Sequence, residues 1–337
     1  MIKEAITKIT AHKDLTRSEM SLAFEEIMKG EAEPAQIAAF IIALRIKGET
    51  TDEITAAAGI MRKFAEKINI GEGPVVDTCG TGGSGINTFN ISTAAAFVAA
   101  GCGVKVAKHG NRSASSACGS ADVLEALGVN LNLTPAQVEK CINEIGIGFL
   151  YAPLFHLAMK YAAGVRKAIG IRTIFNILGP LANPANATCQ VLGVYEKKLT
   201  KIMAEVLNNL GVKRAFVVHG LEGLDEISIT GPTQVSEVIN KKVKTYIIKP
   251  EKFGLKRARL KDIEGAGVKE NAAMVLSVLN GETGPKRDVV VLNAAYAVYA
   301  AEKAGSVKEA VKKAENSIGS GAALAKLNQL IKFSNGR

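Results

Sequence analysis

Residues 77–122 read DTCGTGGSGINTFNISTAAAFVAAGCGVKVAKHGNRSASSACGSAD, and the rest of the chain is organised around this stretch. Glycines cluster near its start, small hydroxyl residues recur along it, and a basic triplet, Lys108, His109 and Arg112, lies between two of these groups. Glycine lets a backbone adopt positive φ and approach a ligand closely, so that successive N–H groups can form an anion-binding nest. The motif G-x-x-x-x-G-K-[ST] is absent, so the stretch predicts phosphate-binding loops of another kind.

Each of these loops follows a short strand-like run. Residues 75–77 precede the glycine cluster and residues 104–107 precede the basic loop, with an alanine-rich helix over residues 92–100 between them. Strands continue to alternate with helices down the chain, and residues 242–249 read as a strand near a sheet edge. This alternation predicts an α/β fold with a central, mostly parallel sheet covered on both faces. Ligands are then expected at the carboxyl ends of the strands, where both loops lie.

The first seventy residues show helical spacing and no strand pattern. Thr16 and Glu19 form a capping box ahead of apolar residues at helical spacing, and Pro34 can open a second helix that Gly48 closes. A third helix starts at Thr50. We therefore expect a small helical domain over residues 1–69 and a large α/β catalytic domain over residues 70–337. Helices near residues 155–185 are expected to pack with the helical domain.

Composition excludes several classes of protein. The chain has 337 residues, of which 47% are hydrophobic, but no apolar run approaches the roughly eighteen residues of a membrane helix. Its start, MIKEAITKIT, lacks the continuous apolar stretch of a signal peptide, so we expect a cytoplasmic protein. Five dispersed cysteines without a C-x-x-C motif indicate reduced thiols. The net charge of +10 is compatible with nucleic acid or with an anionic small substrate, and no long basic run favours the former.

Asp225 and Glu226 are adjacent carboxylates in a loop that contains Gly223. Such a pair is usually a solvated surface feature, but its oxygens can also hold a cation. Magnesium prefers oxygen ligands and keeps some of its waters and substrate phosphates. The glycine loop, a helix N-terminus near Ser92 and the point charge of Lys108 supply the complementary donors for a diphosphate.

Five motifs in order carry a resemblance to a known family: GTGGSGINTFNIST (80–93), KHGNRSASS (108–116), GSADVLEALG (119–128), GVRKAIGIRTIFNILGPLANP (164–184) and GLDEIS (223–228). Together they resemble anthranilate phosphoribosyltransferase over nearly the whole chain. The resemblance implies transfer of a phosphoribosyl group from phosphoribosyl pyrophosphate to anthranilate, with pyrophosphate released, as a step of tryptophan biosynthesis. It also implies a fold of the nucleoside phosphorylase and phosphoribosyltransferase type, two magnesium ions, and a homodimer formed through the helical domain.

The resemblance also implies three sets of site residues. Anthranilate would contact Gly80, Asn111 and Arg166. Metal ligands would be Ser92, Asp225 and Glu226. Phosphoribosyl pyrophosphate would be lined by Gly80, Gly83, Ser84, Thr88, Asn90, Ile91, Ser92, Thr93, Lys108, His109, Gly110, Asn111, Arg112, Ser113, Ala114, Ser115, Ser116 and Ser120.

Several roles stay open at this point. His109 and His156 are candidate proton acceptors that line the site, and neither is assigned as an obligatory base. Arg172 competes with Arg166 for the anthranilate carboxylate. The chain also departs from the family pattern, with Ser84 in place of the usual aspartate, Gly164 in place of proline, and Leu157 in place of the proline that often follows the histidine.

Two other classes of function are kept as alternatives. A pyrimidine nucleoside phosphorylase of the same fold would keep the sheet and a phosphate loop but would not need the Asp225–Glu226 pair. A non-catalytic relative that binds nucleic acid would account for the charge of +10 but would be expected to lose that pair or Arg166. Both features are present in this sequence.

Overall fold

The computed structural model describes residues 1–113 and 118–336, and it begins with four helices. These are α1 (Ile2–Thr10), α2 (Arg17–Lys29), α3 (Pro34–Lys47) and α4 (Thr51–Phe64). The predicted capping box is confirmed, because the Thr16 hydroxyl accepts the Glu19 N–H and the Glu19 carboxylate accepts the Thr16 N–H. Pro34 occupies the first turn of α3, and Gly48 ends that helix. Local sequence signals therefore set the ends of these helices.

A single sheet of seven strands organises the described part of the chain. Its strands are β1 (Val75–Gly80), β2 (Lys105–Gly110), β3 (Ile147–Tyr151), β4 (Cys189–Gly193), β5 (Arg214–Gly220), β6 (Thr233–Ile239) and β7 (Lys242–Ile248), in the order β3-β2-β1-β4-β5-β6-β7. The first five are parallel, whereas β6 and β7 are antiparallel to their neighbours. The predicted α/β fold with a mostly parallel sheet is confirmed, and β7 is the edge strand that the sequence indicated.

Helices cover both faces of this sheet. They are α5 (Ile91–Gly101), α6 (Ser120–Ala126), α7 (Pro135–Ile145), α8 (Ala152–Phe155), α9 (Lys160–Ile169), α10 (Phe175–Leu178), α11 (Leu199–Asn209), α12 (Val268–Leu279), α13 (Pro285–Ala300), α14 (Val307–Gly319) and α15 (Ala322–Ser334). One core joins Val106 and Val191 of the sheet to α5 and α13. A second core joins Leu192 and Val217, on the opposite face, to the first four helices.

The helical segment at the start is thus packed on the sheet through a shared core. α9, which comes much later in the chain, packs against α2 and α3. The division of the chain into two domains at residue 70 stays a prediction. Among the described residues, no helix combines the length and the apolar character needed to cross a membrane.

Glu53 fixes the relative positions of three of the first helices. It is fully buried, and its carboxylate accepts hydrogen bonds from the N–H groups of Leu15 and Thr50, each at 2.9 Å. The ammonium group of Lys47 lies 2.9 Å from the same carboxylate and 2.6 Å from Asp14. A buried charge is tolerated when it is paired and hydrogen-bonded in this way, and its loss leaves the partners uncompensated.

We expect Glu53→Ala to lower the free energy of unfolding by about 3 kcal/mol, because Lys47 and the N–H groups of Leu15 and Thr50 lose their partner. The adjacent Asp52 provides a matched control, since its ion pair with Arg17 at 2.7 Å is exposed. Asp52→Asn should cost less than about 1 kcal/mol. Urea unfolding followed by circular dichroism measures both values. Equal decreases in the free energy of unfolding for the two variants would show that Glu53 does not hold these helices together.

Candidate active site

The glycine-rich loop begins where β1 ends. Gly80 is the last residue of β1, and Gly82 and Gly83 have φ of +66° and +76°, a region that side chains other than glycine rarely adopt. A Cβ atom on Gly80 would lie 3.2 Å from Oδ2 of Asp225. The loop after β1 therefore meets the acidic loop, although Gly80 and Asp225 are 145 positions apart in the sequence.

Lys108 connects the second loop to the first. It lies on β2, is 4% exposed, and donates to the carbonyl of Thr78 on β1. Its Nζ also lies 3.4 Å from the hydroxyl of Ser92, near the N-terminus of α5. Burial lowers the pKa of Lys108, and the negative charges of Asp77 and Glu226 act in the opposite direction. The Lys108 side chain therefore links β2 to β1 and to the start of α5.

The acidic pair lies in the loop after β5, at the carboxyl end of the sheet. A carboxylate oxygen of Glu226 accepts the N–H of Ser92 at 3.1 Å. Burial and the adjacent Asp225 raise the pKa of Glu226 to about 8. Burial also raises the pKa of Asp225, and hydrogen bonds from the Ser84 hydroxyl and the Gly82 N–H oppose that shift. Ionising both carboxyl groups at once is thus unfavourable here unless a cation lies close by.

β4 leaves room for this acidic loop because it ends in a glycine. A Cβ atom on Gly193 would lie 1.7 Å from the backbone carbonyl oxygen of Asp225, which is far inside van der Waals contact. Among the described residues there is no group of three or more histidine, cysteine, aspartate and glutamate side chains that could hold a metal. Asp225, Glu226 and the Ser92 hydroxyl would therefore form an incomplete set of ligands, which suits magnesium completed by phosphate and water.

A buried carboxylate that the sequence did not single out supports β1 and β2. Asp77 is fully buried and accepts the N–H of His109 at 3.2 Å and the side-chain amide of Asn183 at 2.8 Å. Asn183 also donates to the carbonyl of Ala107 at 2.8 Å. Burial raises the pKa of Asp77 to about 6, against the opposing charge of Lys108. The only sequence signal for this support was the position of both residues within or beside motifs of the family resemblance.

The two candidate proton acceptors lie together. The ring centroids of His109 and His156 are 5.0 Å apart, and Nδ1 of His109 lies 3.2 Å from the carbonyl oxygen of Gly179. Burial lowers the pKa of His109 to about 3 and that of His156 to about 4. The remaining ring nitrogens are buried and have no partner with hydrogen-bond geometry among the described residues. Both rings are therefore neutral and weakly basic at neutral pH.

The two candidate arginines differ in their partners. Arg172 donates to the carbonyl of Gly83 and lies over the ring of Tyr195, 4.5 Å from its centroid. Arg166, on α9, lies 5.2 Å from the ring centroid of Phe175. Burial lowers the pKa of Arg166, and no ion pair joins its guanidinium to another described residue. Arg166 therefore retains its donors for a ligand, although no hydrogen bond or ion pair within residues 1–113 and 118–336 links it to either loop.

Other predicted residues occupy varied positions. The guanidinium of Arg112 is paired with Asp122 at 3.0 Å and with Glu125 at 2.8 Å, and its contact with phosphate stays a prediction. Asp122 also accepts the N–H of Ser113 at 3.0 Å. Ala114, Ser115 and Ser116 lie outside the described residues. The rest lie in or beside the loops after β1 and β2, namely Thr88, Asn90, Ile91, Thr93, Gly110, Asn111 and Ser120. Their roles stay predictions.

Comparison with known proteins places this geometry in a family. Residues 3–65 match the family described as "Glycosyl transferase family, helical bundle domain", and residues 72–324 match "Glycosyl transferase family, a/b domain". An anthranilate phosphoribosyltransferase of Acetivibrio thermocellus is 57% identical over 335 residues, which cover 99% of this chain and 97% of the relative.

Solved structures agree with these matches. The anthranilate phosphoribosyltransferase of Thermus thermophilus superimposes with a TM-score of 0.93 at 44% identity, covering 98% of this chain and 99% of that one. The enzyme of Saccharomyces cerevisiae, in complex with phosphoribosyl pyrophosphate and magnesium, superimposes with a TM-score of 0.91 at 31% identity, covering 100% and 98%. Another structure of the yeast enzyme contains 4-fluoroanthranilate. The chain therefore belongs to the anthranilate phosphoribosyltransferase family.

Proposed function

We propose that this chain transfers the phosphoribosyl group of phosphoribosyl pyrophosphate to the amine of anthranilate. The observation that carries the proposal is the meeting of three loops at one edge of the sheet. There the glycine loop, Lys108 and the acidic pair are joined through Ser92 and Gly80. Family membership and the ligands of the yeast structures support the same reaction. The product is N-(5-phosphoribosyl)-anthranilate, and the other product is pyrophosphate.

The reaction requires positioning and charge neutralisation more than covalent help from the protein. The bond from the ribose C1 carbon to the pyrophosphate oxygen breaks while a bond from C1 to the anthranilate nitrogen forms, and the nitrogen then loses a proton. Backbone N–H groups of the glycine loop and the N-terminus of α5 would hold the diphosphate, with Lys108 beneath it. These groups stabilise the negative charge that builds up on the leaving group.

The acidic pair would hold the metal that accompanies this ligand. Asp225 and Glu226 bring two carboxylates with raised pKa to the diphosphate site, and the Ser92 hydroxyl adds a neutral oxygen. We propose two magnesium ions, which neutralise the charge of the diphosphate when they are bound. The Ser84 hydroxyl opposes the rise in the pKa of Asp225, whereas an aspartate at this position would add a third carboxylate.

Anthranilate would bind on the side of α9. The guanidinium of Arg166 presents a planar fork of donors that matches a carboxylate, and it has no ion-pair partner among the described residues. Gly80 and Asn111 would complete that contact. His109 and His156 are neutral and can hydrogen-bond to the substrate without repelling it. Their low pKa values make them poor bases, so the amine proton would pass to water or to the released pyrophosphate.

The direct test is loss of anthranilate fluorescence in the presence of phosphoribosyl pyrophosphate, with and without magnesium. We expect turnover that depends on magnesium and an Asp225→Asn/Glu226→Gln variant that folds but turns over at least about 100-fold more slowly, since metal-bound groups supply several kcal/mol. Circular dichroism checks the fold of the variant. Magnesium-independent phosphorolysis of thymidine or uridine, with no loss of anthranilate, would instead support a nucleoside phosphorylase.

The role of Arg166 has its own kinetic signature. A charge-assisted hydrogen bond contributes about 1.5–3 kcal/mol, so Arg166→Ala should raise KM for anthranilate about ten- to a hundredfold. KM for phosphoribosyl pyrophosphate should change much less, because other groups hold that ligand. Arg166→Lys should recover only part of the loss, since an ammonium lacks the planar fork. If Arg166→Ala instead raises KM for phosphoribosyl pyrophosphate and leaves KM for anthranilate unchanged, Arg166 does not bind anthranilate. Arg172 then becomes the candidate for contact with the anthranilate carboxylate.

We also propose a homodimer formed through the helical segment, residues 1–69. Large apolar side chains are exposed there and on the segment that packs against it, with Leu22 44% exposed, Ile46 72% and Leu157 55%. Ile46→Glu should therefore convert the dimer into a monomer, as measured by analytical ultracentrifugation. Leu276→Glu, at a site 40% exposed on α12, is the matched control and should leave the mass unchanged. A parent chain that sediments as a monomer at micromolar concentration would contradict the proposal.

A further inference from the structure

A buried asparagine on α13 forms hydrogen bonds with the acidic loop at Ile227, the residue that follows Glu226. Asn293 is 2% exposed, and its Oδ1 accepts the N–H of Ile227 at 3.0 Å. Its Nδ2 donates to the carbonyl of Ile227 and to the carbonyl of Val289, each at 2.9 Å. One carboxamide therefore satisfies both backbone groups of Ile227, as a neighbouring strand would.

This pairing has only one workable orientation. If the carboxamide were flipped, its NH2 group would face the N–H of Ile227 and its oxygen would face the two carbonyls. A carboxylate could accept the N–H but could not donate to either carbonyl. Alanine would leave all three backbone groups without this partner inside the core, which costs more than the hydrogen bonds themselves contribute. The residue type is thus matched to the loop that it holds.

α13 also packs against α5, the helix that carries Ser92 on the other side of the site. It packs against α5 through alanine and valine side chains of the shared core, including Ala95 and Val291. Ser92, on the first turn of α5, donates its N–H to Glu226. The distance between Ser92 and Glu226 is therefore fixed from both sides, by the packing of two helices and by the contact of Asn293 with Ile227.

The geometry points to Asn293 as a positioning residue that holds Asp225 and Glu226 in register with Ser92 for metal binding. The inference rests on the proposed function, because it assumes that the acidic pair binds the metal that accompanies the diphosphate. Asn293 touches neither substrate nor metal in this assignment; it acts through Ile227. Residues that orient metal ligands without touching the metal themselves alter the affinity of the site for the metal.

Calorimetry separates this role from general support of the fold. The affinity for phosphoribosyl pyrophosphate is measured with saturating magnesium and again with a chelator, and the ratio of the two Kd values reports the contribution of the metal. For Asn293→Ala we expect the Kd with magnesium to rise about 10- to 100-fold. The Kd in the chelator should stay within about twofold of the parent value, because the glycine loop and Lys108 are unchanged.

Ser317→Ala is the matched control. Ser317 is 3% exposed on α14 and donates to the carbonyl of Val98 on α5 at 2.9 Å, so it is also a buried polar contact to the same core. Its loss should lower the melting temperature and leave both Kd values unchanged. If Asn293→Ala fails to fold, Asn293→Ser retains a short polar side chain and is measured in the same way.

The possible results discriminate clearly. An equal rise of both Kd values in the Asn293 variant, or no rise in either, overturns the positioning role. Failure of the underlying proposal has a different signature, since the Asp225→Asn/Glu226→Gln variant would then keep the magnesium enhancement of the parent. A loss of that enhancement in both variants, with Ser317→Ala unchanged, is the result that the structure leads us to expect.

Discussion

The site depends on how buried charge is balanced at the carboxyl ends of the central strands. Lys108 extends from β2 beneath the first loop, with Asp77 and Glu226 close enough to counteract the effect of burial on its pKa. A charge inside a protein is stable when it is paired and hydrogen-bonded. Asp77 is hydrogen-bonded by Asn183 and the His109 N–H, and burial raises its pKa as it raises the pKa values of Asp225 and Glu226. A divalent cation bound between Asp225 and Glu226 would favour the ionised forms of both carboxyl groups.

Strand order explains why these groups meet at all. β1 lies between β2 and β4, and β5 lies beyond β4, so loops from three strands open at one edge. The close approach is possible because Gly193 has no side chain to collide with Asp225. The helical segment, with α9, contributes Arg166 on the face that carries the second core. In the proposed reaction one substrate is held mainly by the sheet edge and the other from the helical side, and the fold brings them together.

Much of this architecture could be predicted from local sequence signals. Thr16, Pro34 and Gly48 define helix ends through contacts within a few residues, and the alternation of strands and helices defines the parallel sheet. β6 was not predicted, although its alternating burial is the pattern that would have indicated it. Local signals of this kind could not predict hydrogen bonds and ion pairs between residues that are far apart in the sequence. Only the folded structure shows that Arg112 forms an ion pair with Glu125. It also shows that Arg172 donates to the carbonyl of Gly83 and that Asn183 donates to Asp77.

We propose that a cation lies between the acidic pair and the diphosphate at this end of the sheet. Anomalous diffraction from a crystal grown with manganese and phosphoribosyl pyrophosphate would locate the ion directly. We expect an anomalous peak within about 2.5 Å of a carboxylate oxygen of Asp225 or Glu226 and of a diphosphate oxygen. A peak bound only to the diphosphate, with both carboxylates out of reach, would contradict it.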